Sequence, residues 1–222
     1  DKSERVAFEK RRKDPAYDEY LGNICPAPKT LNSAHEMFEQ RQTGYLDTNA
    51  LLDALKEYFI SENSFVSCQF IHEDLLIGDE SISWQGITTK RVIFCEGYSG
   101  RNNPWFAWLP FQPAKGEILS LKSDHDLPDQ IINGGKWLLP LHDGSYKTGA
   151  TYDHDLSTTE ASEAGKNMLI NGMQKLLSRP ITFTIVEHQA GVRPNTLDKQ
   201  PFLGLHPEQS RIGIFNGFGS KG

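Results

Sequence analysis

The chain has 222 residues, 37% hydrophobic and 10% aromatic, enough for one large or two small domains around a buried core. Its 23 Lys and Arg against 29 Asp and Glu leave a formal charge of −6, which argues against non-specific nucleic-acid binding. No run approaches the ~18 consecutive apolar residues of a membrane span. Cys25, Cys68 and Cys95 form no CxxC pair, which suggests a reducing compartment. With no signal peptide in view, a cytoplasmic location is expected.

Residues 2–13 read as a charged helix ended by Asp14-Pro15, with Lys10-Arg11-Arg12-Lys13 on a solvated face. Residues 16–45 are mixed and turn-rich. DTNALLDALKEYF, 47–59, predicts an amphipathic helix: Leu51, Leu55, Tyr58 and Phe59 share a face, and Asp47 or Thr48 caps it. Short strands are expected at FVSCQFI, DLLIG, ISWQG and KRVIFCEG (90–97), with turns such as GDE (78–80) making a small antiparallel meander. VIFC is nearly all apolar, as in a strand buried on both faces, so Cys68 and Cys95 are expected as buried small hydrophobes. NNPWFAWLPFQPAKG reads as a crossing between domains. Strands GEILSL, KWLLPL and SYKTGATY follow, the last two joined by a tight hairpin at HDGS, 142–145.

A helix is then predicted over 158–177, with Ser157 and Glu160 at capping-box spacing. Ala161, Gly165, Met168, Leu169, Gly172, Met173, Leu176 and Leu177 line one face, and its two glycines allow close approach to a sheet. ITFTIVEHQA and RIGIFNG are two further strands. Between them lies GVRPNTLDKQPFLGLHP, 191–207, whose prolines and glycines mark a loop. Arg193 stands at its edge, and Pro194 holds it in extended backbone. Such an arginine is either a structural partner of Asp198 or Glu187 or a hook for an anion.

The chain closes on NGFGSKG, where Gly217, Gly219 and Gly222 spell G-x-G-x-x-G after a strand. Alone the motif is weak, since a dinucleotide fingerprint needs a following helix and an acidic residue about 20 positions on. The triplets Asp124-His125-Asp126 and Asp153-His154-Asp155 lie in turn-like context without further ligands at spacing, and no metal site is expected. GxSxG, HExxH and P-loop motifs are absent.

Five stretches in this order resemble the flavin-dependent amino-acid oxidase superfamily, which includes D-amino-acid, glycine and sarcosine oxidases. TGYLDTNALLDAL is similar to the start of the helix after the family's first substrate-side insertion. KRVIFCEGYSG resembles its buried strand and glycine turn near the dinucleotide, and LPFQPAKGEILSL its crossing into the substrate sheet. GGKWLLPLHDGSYKTGATYD resembles the central hairpin of that sheet, and the stretch from GVRPNTLDKQ to GFGSKG the closing signature. The likeness runs from about residue 43 to 222. The N-terminal Rossmann unit and C-terminal helix of the family are missing, so a truncated piece that binds FAD weakly, or not at all, by itself is expected.

The resemblance implies an α+β fold: a mixed, mainly antiparallel substrate sheet backed by a long helix, plus a partial FAD-domain meander. It implies four segments: 1–42, an N-terminal helical insertion; 43–100, part of the FAD-binding domain; 101–190, the substrate-binding domain; and 191–222, the return to the FAD domain. Arg193 falls where the family grips a substrate carboxylate, which a planar guanidinium fork suits. Trp137, Tyr146 and Tyr152 are pocket-lining candidates, with ordinary sheet packing as the alternative, and Ser220 is a small residue near the substrate. Gly97, Gly100, Gly217, Gly219 and Lys221 are candidates for contact with FAD. The implied activity of the full-length parent is oxidation of a C–N bond in an amino acid or amine by hydride transfer to flavin, with no protein acid–base group required. A non-catalytic binding module of the same fold and a tRNA-modifying flavin oxidoreductase are the alternatives. The implied partner is a small molecule.

Overall fold

The computed structural model describes residues 2–33, 36–125 and 127–219. In chain order the elements are α1 (Lys2–Arg11), β1 (Leu21–Cys25), β2 (Met37–Gln40), α2 (Thr48–Ser61), β3 (Leu76–Ile77), β4 (Ile82–Trp84), β5 (Ile87–Thr89) and β6 (Val92–Phe94). Then follow β7 (Ala114–Lys122), β8 (Ile132–Asn133), β9 (Trp137–Pro140), β10 (Tyr146–Gly149), α3 (Glu163–Leu176), β11 (Thr184–Arg193), β12 (Phe202–Leu205) and β13 (Ile212–Asn216). The strands form four sheets: β1-β2, β3-β4-β5, β12-β13-β6 and the five-stranded β11-β7-β10-β9-β8. The fold is α+β, as expected. The chain divides into two compact units: residues 1–67, 120–148 and 167–187 in one, and 68–119, 149–166 and 188–222 in the other. Both the 43–100 and the 101–190 segments are thus shared between the units.

The first unit holds α2, where Asp47 is the N-cap and its carboxylate accepts from Ala50 N. None of the side chains of α2 is buried; Leu51 and Leu55 of the expected apolar face are 42% and 41% exposed. The side chains this unit buries include instead Leu169, Met173 and Leu177 of the α3 region, together with Leu121, Leu138 and Ile181. Gly172 lets α3 pass close to Lys136, since a Cβ there would stand 2.6 Å from Lys136 Cγ. Leu169 is fully enclosed, so Leu169→Ala is expected to cost about 2–5 kcal/mol in unfolding by denaturant. The HDGS hairpin forms as expected: Asp143 accepts from the Ser145 N–H, and Gly144 sits at φ 77°.

The second unit is built on Leu75, Ile82, Trp84, Phe94, Phe106, Ile212 and Ile214. The sequence around it departs from expectation in three places. FVSCQFI forms no strand: Phe70 stacks on Trp84 at 4.8 Å, and the Trp84 indole donates to Ile71 O, so side-chain packing replaces a ladder. β6 leaves the β3-β4-β5 meander and pairs in parallel with β13 at a sheet edge. Only the Phe94 face of β6 is covered. Ile93 is 50% exposed, and Cys95, two residues on and on the same face, is exposed too. Cys68, in the segment that forms no strand, is likewise exposed.

Helix α3 begins at Glu163 rather than 158. Short side chains ahead of it take up the backbone donors: Asp155 accepts from Ser157 N, and Thr158 from Glu160 N. The Ser157–Glu160 capping box does not form. Ser162 takes the capping role, its Oγ accepting from Gly165 N at 3.0 Å. The 191–207 loop also contains regular structure, because its first three residues complete β11 and Phe202–Leu205 pair with β13.

Candidate functional site

Arg193 is the last residue of β11. The following proline has no N–H to extend the ladder, so the strand ends with the arginine fixed at its tip. The Nη1 of Arg193 donates to Thr151 O at 3.3 Å, and its Cζ lies 5.6 Å from the centroid of the Tyr152 ring, a cation–π distance. The Tyr152 hydroxyl accepts from Asn195 Nδ2 at 2.8 Å. Asn195 in turn lies against Gly219, where any Cβ would overlap its side-chain oxygen. Arg193 belongs to none of the ion pairs formed among the described residues. Asp198, one expected partner, instead accepts from Thr196 Oγ1 and Gln200 N.

The opposite face of β7 carries a buried polar cluster that sequence reasoning missed. Alternation along a strand puts Lys115 and Glu117 on one face and Gly116 on the other. The Glu117 carboxylate is almost fully enclosed and accepts from Ser162 N at 3.0 Å, Ser162 Oγ at 2.9 Å and His188 Nε2 at 2.8 Å. Lys115 Nζ lies 3.4 Å from it and donates to Glu160 O. Burial opposes ionisation of Glu117, but the hydrogen bonds from Ser162, His188 and Lys115 outweigh it and hold its pKa below the ordinary value. The cluster fastens β7 to the start of α3 and to β11. A lysine and a glutamate two apart on the apolar face of a strand were its one sequence signal.

Two glycine turns follow the ends of the parallel strands β6 and β13. Gly97 has φ 59° and Gly217 φ 84°, left-handed values that favour glycine. Asn216 ties them together: its Nδ2 donates to Gly97 O at 2.8 Å and its Oδ1 accepts from Gly217 N at 2.7 Å. A Cβ on Gly100 would stand 2.6 Å from the same Asn216 amide. Of the predicted residues, Arg193, Tyr152, Gly219, Gly217, Gly97 and Gly100 therefore fall in the second unit, linked through Asn195 or Asn216. Trp137 and Tyr146 lie half-buried in the first unit, on β9 and β10. Ser220, Lys221 and Gly222 lie outside the described residues, as does Asp126 of the first D-H-D triplet. In the second triplet, Asp153 accepts from Asp155 N and Asp155 from Ser157 N.

A family model described as FAD dependent oxidoreductase matches residues 8–222. The chain belongs to this family. Among curated proteins, a tRNA 5-methylaminomethyl-2-thiouridine biosynthesis bifunctional protein MnmC from Marinobacter nauticus is 34% identical over 125 residues, 51% of this chain and 20% of that protein. A glycine oxidase from Pseudomonas putida is 30% identical over 101 residues, 45% of this chain and 27% of that protein. The chain thus spans about a fifth to a quarter of these relatives. Among solved structures, iminodiacetate oxidase from Chelativorans sp. BNC1 superposes with a TM-score of 0.79 at 18% identity, over 99% of this chain and 64% of that one. Glycine oxidase from Geobacillus kaustophilus gives 0.53 at 22% identity, over 63% of this chain and 39% of that one. At these identities the superpositions show the fold.

The cofactor of an FAD dependent oxidoreductase has a fitting place here. The glycine turns stand outside the carboxyl ends of adjacent parallel strands, where open α/β sheets bind nucleotides. A Cβ on Gly97 would meet open space, so its backbone is free to approach a ligand closely.

Proposed function

We propose that the intact protein oxidises a C–N bond of an amino acid or amine, with Arg193 gripping the substrate carboxylate. One observation carries this reading: a half-buried guanidinium, paired with no carboxylate among the described residues, is seated over Tyr152 in the unit that carries the glycine turns. A guanidinium so placed has its fork available for bidentate contact with a carboxylate. Bound FAD supplies the two-electron acceptor. The chain's own residues do the rest. Backbone at Gly97, Gly100, Gly217 and Gly219 would hold the cofactor, with Asn216 keeping the two turns in register. Asn195 holds the Tyr152 hydroxyl, the Tyr152 ring supports the guanidinium, and Arg193 orients the substrate. Ser220 remains a pocket candidate and Lys221 a cofactor contact. No helix among the described residues is long and apolar enough to cross a membrane.

The glycine-oxidase likeness supports a free amino acid as substrate. The MnmC likeness supports a second reading, in which the amine is carried on a tRNA uridine. Purified intact protein is expected to show the flavin absorption band in the visible blue. It is expected to release a carbonyl product from at least one member of a panel of glycine, sarcosine, iminodiacetate and D-amino acids. Turnover of aminomethylated tRNA alone would decide for the second reading. Absence of the flavin band would reduce the chain to a binding module.

A further inference from the structure

Gly116 lies on β7 between Lys115 and Glu117, and its backbone needs no glycine: its φ is outside the left-handed region. What it provides is space. A Cβ built on Gly116 would overlap the Arg193 guanidinium at Cζ and at both terminal nitrogens. The surrounding pairing shows how the space arises. Thr151 N donates to Glu117 O, and Lys115 and Asp153 exchange both of their backbone hydrogen bonds. Tyr152 therefore stands opposite Gly116, and cross-strand neighbours project to the same face. Arg193 comes from β11, the neighbour of β7 on the other side. Its guanidinium reaches the Tyr152 ring and Thr151 O only by crossing the strand at the one position without a side chain.

We propose that Gly116 is a positioning residue: its missing side chain is the slot that holds the Arg193 guanidinium against Tyr152 and aims its fork. This rests on the reading of Arg193 as a carboxylate hook for its functional meaning, but the slot itself can be tested apart from it. In Gly116→Ala the group that must yield is the flexible end of an arginine, and alanine is otherwise tolerated in a strand better than glycine. The fold is expected to survive, with an unchanged or slightly higher melting temperature, while the guanidinium leaves the ring.

The test uses the 15N resonance of the Arg193 side chain, assigned by its loss in Arg193→Lys, with acetate as the carboxylate probe. In the native chain the Nε–H signal is expected to show the ring-current shift of Tyr152, lost in Tyr152→Leu, and to move saturably with acetate. In Gly116→Ala the ring-current shift is expected to vanish and the acetate affinity to fall about tenfold or more, the worth of one charge-assisted hydrogen bond. An unmoved Arg193 signal with intact acetate binding would overturn the role of Gly116 and leave the hook reading standing. Loss of the ring-current shift with no acetate response in either protein would sustain the slot and remove the hook. If Gly116→Ala is badly destabilised, the Gly116→Ala/Arg193→Ala double variant decides. Recovery to the stability of Arg193→Ala identifies the guanidinium as the clash and supports the slot, whereas continued destabilisation contradicts it.

Discussion

Arg193→Ala in the intact, flavin-loaded protein is expected to lower kcat/KM for amino acids by about 10²-fold, while amines without a carboxylate lose far less. The magnitude follows from removing a bidentate, charge-assisted contact, each such hydrogen bond being worth about 1.5–3 kcal/mol. Flavin content should not change, because the glycine turns are held by Asn216 and not by the arginine. The variant should also remain folded. Within the described residues the guanidinium makes one long hydrogen bond and one ring contact, together worth only about 1–2 kcal/mol. Arg193→Lys should recover part of the loss and no more, since a point ammonium lacks the planar fork. Steady-state kinetics on glycine and methylamine, with melting curves on the same samples, measure all of this. Equal losses on both substrates, or simple unfolding, would make Arg193 a structural residue.

Glu117→Gln is expected to cost about 3–5 kcal/mol of unfolding free energy, the usual result of breaking one side of a buried ion pair. The amide keeps the volume but leaves Lys115, itself buried, without its counter-charge. It also weakens two anchors at once: the Ser162 contacts that fix the start of α3, and the His188 contact on β11. The effect should depend on pH. The pKa of Glu117 is depressed in the folded state. The stabilisation is therefore fully present above the unfolded glutamate value of about 4.3 and is lost as pH falls through the lower folded value. The stability gap between native and variant should accordingly be flat in its Glu117 contribution above about pH 5 and close on acidification. Urea titrations at pH 7, 5, 4 and 3 measure it; a gap that widened in acid would contradict the assignment.

Local chemistry was legible in the sequence and distant chemistry was not. Asp47 before an apolar repeat marked the start of α2, and Asp143-Gly144 marked the hairpin, because each signal acts over three or four residues. Pro194 marked the end of β11 for the same reason. The true start of α3 was missed because Ser157 and Glu160 have capping-box spacing, yet Asp155 and Thr158 claim their backbone N–H groups first. The apolar run VIFC gave no warning that β6 would sit at an edge, since edge or centre is decided by pairing with β13, more than 100 residues on. Glu117 could not be read as the hub of a cluster, because Ser162 and His188 lie 45 and 71 residues away. In the site, Arg193 and the glycines stood out by residue type, whereas Asn195 and Asn216, which link them, looked like ordinary loop and strand-end polar residues.

The most direct measurement is anaerobic mixing of the intact protein with matched pairs of amines, read at the flavin absorption band. Glycine is paired with methylamine, and sarcosine and iminodiacetate are each paired with dimethylamine, so that each pair differs chiefly in its carboxylates. A carboxylate-gripping oxidoreductase predicts that at least one acid bleaches the band in a single turnover at a rate about 10²-fold above its carboxylate-free partner. Equal bleaching by acid and amine, or a protein with no flavin band to bleach, would contradict the account.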